Sequence, residues 1–115
     1  MNIYNEVTKK FKREDKIPLL TKGKSDTYIG TTSTKVNGKN FENAILFEIS
    51  ATNKKRITSE FIQLTYDYYK NNNNCFPKRD WYRVHNQLSH EYKSRPCNYA
   101  VAQGLIIEIL KTKTF

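Results

Sequence analysis

Residues 27–50, TYIGTTSTKVNGKNFENAILFEIS, hold the clearest structural signal in the chain. Their opening, 27–34, is dominated by β-branched side chains, which suit a pleated strand better than a helix. Asn37-Gly38 then supplies a pair suited to a two-residue hairpin turn, because both positions accept positive φ. Beyond it, ENAILFEIS at 42–50 alternates Ile45, Phe47 and Ile49 on one side with Ala44, Leu46 and Glu48 on the other, so both faces of this strand are expected to be partly covered. The stretch predicts an antiparallel hairpin, and KKRIT at 54–58 extends it to three strands.

Helical periodicity flanks the hairpin on both sides. Upstream, Ile3, Val7 and Phe11 recur every four residues with Tyr4 beside them, the stripe of a short amphipathic helix that must stop before Pro18. Downstream, Ser59 is the expected N-cap of a helix that groups Phe61, Leu64, Thr65 and Tyr68 on one face, with Ile62, Tyr66 and Tyr69 beside it. The asparagine run 71–74 ends that helix in a polar loop, and Pro77 suits the first turn of the next, over 78–92. In CNYAVAQGLIIEILK, 97–111, Val101, Leu105 and Ile109 stand at helical spacing with Ala102 and Ile106 beside them, which reads as a central core helix over 98–110. Gly104 weakens that helix by about 1 kcal/mol relative to Ala, and so points to the close approach of another backbone. The expected fold is a single α+β domain over 1–115: an N-terminal helix, a short antiparallel hairpin or three-stranded sheet, then three helices ending in the apolar core helix.

A chain of 115 residues with 37% hydrophobic and 13% aromatic content predicts one small, aromatic-rich core. No apolar run approaches the roughly 18 residues of a membrane span, and the N-terminus lacks the apolar stretch of a signal peptide, so a cytoplasmic location is expected. Cys75 and Cys97 are then expected as free thiols that behave as small, partly buried hydrophobes.

The net charge of +9 is unevenly spread. Residues 1–24 carry seven Lys/Arg against three Asp/Glu and residues 70–95 carry six against two, while 25–69 balance at five against five. Two basic blocks around a neutral middle suit a polyanion, because each neutralised phosphate releases counterions. In the first block Lys9, Lys10, Lys12 and Arg13 gather near the end of the predicted helix, where cations also suit the helix dipole.

The second block overlaps CFPKRDWYRVHNQLSHEYKSRPC at 75–97, which holds both cysteines and both histidines. A zinc site is not expected there. The cysteines stand alone, and on a continuous helix His85 and His90 would point about 140° apart. In the same projection Trp81, Val84, His85, Leu88 and Tyr92 form a core-facing stripe. The opposite face carries Arg79, Tyr82, Arg83, Asn86, His90 and Lys93, with Arg95 in the link that follows. Arginine forks two bonds to a phosphate or a guanine edge, asparagine pairs with adenine, and tyrosine or histidine stacks on an unpaired base. These residues, with Lys9, Lys10, Lys12 and Arg13, are the expected nucleic-acid contacts. The bland alternative is a solvated face on which Asp80 and Glu91 simply pair with Arg83, Arg95 or Lys93.

The helices at 78–92 and 98–110, joined by KSRPCN, have the order of a helix-turn-helix, but the second is too apolar to read bases. RNA or another single strand is favoured over duplex DNA, with Tyr28, Tyr69 and Tyr82 as expected stacking platforms. No glycine-rich phosphate loop, nucleophile elbow, HExxH sequence or paired-acid nuclease pattern occurs, so neither enzymatic activity nor a metal or other cofactor is expected.

In its small size, its excess of Lys, Asn and Tyr, and its α+β pattern without catalytic residues, the chain resembles the small inhibitor proteins of phages and mobile elements, including anti-CRISPR proteins. The likeness lies in composition across the whole chain; no motif is shared and no site residue is carried over. It implies a guide RNA, a target strand or the groove of a nucleoprotein complex as partner. Two alternatives differ in class: a protein-binding module that sets its basic face on an acidic partner, and a DNA-binding transcriptional regulator.

Overall fold

The structure is a computed structural model that describes residues 1–21, 23–50 and 52–113. Lys22 of the first basic block and residues 114–115 lie outside the described residues. Helix α1 (Ile3–Lys10) starts at Asn2, whose side-chain oxygen accepts from the Asn5 N–H at 3.0 Å. Ile3, Val7 and Phe11 point inward, as their spacing requires. Four strands follow, β1 (Lys16–Pro18), β2 (Ser25–Val36), β3 (Lys39–Ser50) and β4 (Asn53–Thr58), in one antiparallel sheet of order β1-β2-β3-β4. The β2–β3 hairpin closes at Asn37 and Gly38, whose φ values of 51° and 79° are both in the left-handed region.

Strand β1 lies beyond the three strands expected. Three residues are too few to show a period, and the strand exists because Ile17 is fully buried while Pro18 occupies a sheet edge that tolerates its missing donor. Ile17, Tyr28, Ile45, Phe47 and Ile57 share the inner face, where they join residues of the helices in one core. Lys16, Thr27, Glu48 and Lys54, paired across all four strands, form a row on the other face. Ile49, expected to align with Ile45 and Phe47, is 38% exposed beside a register shift between Glu48 and Ser50.

Helix α2 (Ser59–Asn71) is capped by Thr58 rather than Ser59: the Thr58 hydroxyl accepts from the Phe61 N–H at 3.1 Å, and Ser59 is the first helical residue. Asn73 and Asn74 turn the chain away with φ of 55° and 60°, a conformation asparagine tolerates better than most residues. The core helix is α5 (Asn98–Lys113), which buries Val101, Ala102, Leu105, Ile106 and Ile109. Its Gly104 packs against β1 so closely that a Cβ there would collide with the Pro18 carbonyl oxygen. The close backbone approach expected of this glycine is therefore present.

The helix expected over 78–92 is two short helices, α3 (Arg79–Val84) and α4 (Ser89–Ser94). The cause lies in what is buried. Tyr82, Leu88 and Glu91 are all nearly inaccessible, yet a continuous helix would set Leu88 and Glu91 roughly 120° and 180° around from Tyr82. Breaking at His85, whose ψ of 125° is extended, lets all three turn inward. The backbone needs neither Gly nor Pro for this, because the His85 Nδ1 accepts from the Gln87 N–H at 3.2 Å and the His85 carbonyl accepts from the Ser89 N–H at 3.0 Å. The result is an α+β fold of five helices and a four-stranded antiparallel sheet.

Candidate nucleic-acid interface

The break reassigns the faces of residues 79–93. Val84, expected in the core, is 79% exposed, whereas Tyr82, expected among the nucleic-acid contacts, has no exposed surface. The Tyr82 ring stacks on Phe61 at 4.9 Å and on Tyr92 at 5.7 Å, with Trp81 and Tyr99 against its edges. Thr65 spends its one hydroxyl proton on the Phe61 carbonyl at 2.8 Å, so the Tyr82 hydroxyl donates to Thr65 Oγ1 at 2.7 Å. Burial pushes the Tyr82 hydroxyl well above the usual tyrosine range. Tyr28 is buried too, and Tyr69 is half-buried against Phe76 at 4.6 Å, so Tyr28 and Tyr82 are not stacking platforms. Each buried ring removes a large apolar area from water, so the core takes Tyr28, Tyr66 and Tyr82 in beside its aliphatic side chains.

Arg95 is engaged within the fold. Its guanidinium donates to the Arg56 and Lys35 carbonyls, both at 3.2 Å, and to Thr34 Oγ1 at 2.9 Å, tying the end of α4 to the hairpin and β4. Its expected role as a nucleic-acid contact therefore competes with three internal acceptors. Glu91, read as a surface partner for Arg95 or Lys93, is instead buried: it accepts from the Thr58 N–H at 3.0 Å, the Thr58 hydroxyl at 2.6 Å and the Asn98 amide at 2.7 Å. Burial raises its carboxyl above the usual range despite the opposing pull of those bonds and of nearby Arg95. Cys97 is half-buried as expected, while Cys75 is exposed.

What remains at the surface gathers around α3 and the turn after it. Trp81 is half-buried, with its ring 4.7 Å from that of His85 and 5.0 Å from that of Tyr68. Trp81, Val84, His85, Asn86 and Gln87 line an open depression of about 620 Å3. Arg79 is exposed with its guanidinium 5.5 Å from the Tyr99 ring centre, and Arg83 is exposed and paired with Asp80 at 3.1 Å, as in the bland reading of this face. His90 and Lys93 are exposed on α4, and Asn86 and His90 both face the tip of the hairpin. The pair Trp81 and His85 was hidden in sequence by their assignment to a core stripe; the available signal was that a lone Trp four residues before a His on a basic helix also makes an aromatic platform.

The first basic block lies elsewhere. Lys9, Lys10, Lys12 and Arg13 are all exposed, with Lys9 3.6 Å from Glu6 and Arg13 3.8 Å from Glu14. Their turn is fastened to Tyr28 by the Glu14 N–H at 2.9 Å, whereas Arg95 holds Thr34 and Lys35, roughly 20 Å farther along the same strand at about 3.3 Å per residue. The two blocks are thus anchored at different points of β2. Among the described residues, no group of three or more His, Cys, Asp or Glu side chains gathers as metal ligands would, and no helix is long and apolar enough to cross a membrane. No protein-family model matches the chain, and no curated protein or solved structure matches it either.

Proposed function

We propose that the protein is a non-enzymatic binder of single-stranded nucleic acid, RNA above all, that docks its ligand on α3 and the α3–α4 turn. The observation that carries this reading is the Trp81–His85 ring pair, open to solvent in a depression that Asn86 and Gln87 also line, with exposed Arg79 and Arg83 on the far side of the same short helix. An aromatic pair of this kind accepts a base of any identity on its face, and guanidinium groups across the same helix can meet phosphates farther along the strand. The compositional resemblance to phage and mobile-element inhibitors fits a guide RNA or displaced target strand as that ligand.

A protein partner is the second reading, and Val84 favours it, because an aliphatic group 79% exposed in the same depression as Trp81 adds apolar surface of the kind a protein contact buries. One titration separates the two. Trp81 is the only tryptophan, so its fluorescence reports directly on stacking at this surface. RNA, single-stranded DNA and duplex DNA are titrated at low and high salt. Quenching by the single strands that weakens steeply with salt is expected. Arg83→Ala should weaken binding several-fold with unchanged thermal unfolding, since its side chain is exposed; His85→Ala should weaken it with some loss of stability, because it also removes the acceptor of the Gln87 N–H; and Tyr82→Phe, on the buried side, should leave affinity unchanged. No binding to any of the three ligands at low salt defeats this reading and leaves the protein-binding module.

A further inference from the structure

Asn86 and Gln87 border two hollows. One is the Trp81 depression. The other is a cleft of about 230 Å3 between the α3–α4 turn and the hairpin tip, whose walls include Lys39, Phe41, Glu60 and His90. We propose that this cleft is a base-reading subsite: a single strand crossing the turn leaves one base on Trp81 and seats a neighbouring base beside Phe41, where Glu60 and the amides of Asn86 and Gln87 meet its edge. The proposal rests on the nucleic-acid reading above and adds base selectivity to it.

The cleft is smaller than the roughly 300 to 1,000 Å3 of pockets that hold drug-sized ligands, which suits one base and excludes a larger cofactor. Phe41 is half-buried and offers an aromatic surface, and Lys39 rests with its Nζ 5.0 Å from the Phe41 ring centre, placed to meet the phosphate of a base that displaces it. His90 adds a second donor-capable group on the cleft wall. As a carboxylate, Glu60 can only accept hydrogen bonds. It repels phosphate, so the strand's backbone must pass on the Lys39 and His90 side, and it favours a base edge that carries an exocyclic amino donor, as in cytosine, over one that presents a carbonyl there, as in uracil.

Cytosine and uracil are both pyrimidines and differ chiefly at that edge, so oligo(C) and oligo(U) of equal length isolate the reading step. Affinities are measured by Trp81 quenching. Wild-type protein is expected to prefer oligo(C) by about tenfold, the scale of one well-placed base-edge contact. Glu60→Gln should bring the two ligands close to parity, and Phe41→Ala should weaken both. Equal affinities in the wild type, or a Glu60→Gln variant in which both affinities move by the same factor, would show that Glu60 acts only through its charge and would overturn the subsite while Trp81 quenching persists. Loss of quenching by every strand would instead overturn the nucleic-acid reading beneath it.

Discussion

Glu91 is the residue at which burial and hydrogen bonding pull hardest against each other. Three donors from Thr58 and Asn98 favour its carboxylate, and desolvation opposes it and prevails, so its folded pKa stands above the ordinary value of 4.5. The folded state therefore holds this proton to higher pH than the unfolded chain does. The stability gained from that proton is full below about pH 4.5 and is lost as pH rises through the folded pKa. Glu91→Gln should remove this part of the pH dependence, because the amide oxygen still accepts from the Thr58 N–H and the Asn98 amide while its NH2 faces the Thr58 hydroxyl oxygen. Denaturant unfolding of both proteins at about pH 4 and about pH 7 checks it: the difference between the two pH values should be smaller in the variant. Glu91→Ala should cost about 3 to 5 kcal/mol at either pH, since it leaves donors of Thr58 and Asn98 unpaired in the interior. A small loss on Glu91→Ala would show that water readily enters this junction of β4, α4 and α5.

At the scale of elements, the contact between α5 and β1 gives a test whose sign runs against helix propensity. Ala is favoured over Gly in a helix interior by about 1 kcal/mol. Gly104→Ala should nevertheless destabilise by about 1 to 3 kcal/mol, because its Cβ would meet the backbone of Pro18, which cannot rotate aside as a side chain can. A thermal melt decides it, and a rise in Tm would mean that β1 moves freely away from α5. Gly104 was legible because a glycine inside an apolar helical stripe asks for a neighbouring backbone. The hairpin was legible from Asn37-Gly38, and α1, α2 and α5 from their periods, because in each case a local pattern and the core agree. They disagree over 78–92, where the apolar stripe of Trp81, Val84 and Leu88 fits one straight helix, but burying Tyr82 beside Phe61 and Glu91 beside Thr58 outweighs it. Those partners come from α2 and β4, and no reading of residues 78–92 alone contains them. The same tertiary terms moved Tyr82 and Tyr28 out of the candidate interface and engaged Arg95 with the hairpin, while Arg79, Arg83, Asn86, His90 and Lys93 stayed at the surface.

For the whole molecule the question is whether +9 of net charge acts as a total or from particular places. The outer sheet row, Lys16, Thr27, Glu48 and Lys54, mixes signs and makes no continuous basic track across the sheet. The turn of the first block is fastened to β2 at Tyr28, whereas Arg95 of the second holds Thr34 and Lys35, roughly 20 Å farther along that strand at about 3.3 Å per residue, so a strand seated at α3 is expected to reach the first block only when it is long. Ligand length therefore separates the two pictures. Lys10→Ala with Lys12→Ala removes two charges from the first block, and Arg79→Ala with Arg83→Ala removes two from α3. For a strand of about 4 nucleotides, a site size at the lower end for single-strand binding folds, the arginine pair should weaken binding and the lysine pair should not. For about 16 nucleotides both should weaken it, and the lysine pair should lower the slope of log affinity against log salt by about 1.4, the value for two phosphate contacts on a single strand. Equal losses from the two double variants with the short strand would show that the ligand responds to total charge, and α3 would then have no special claim as the docking surface.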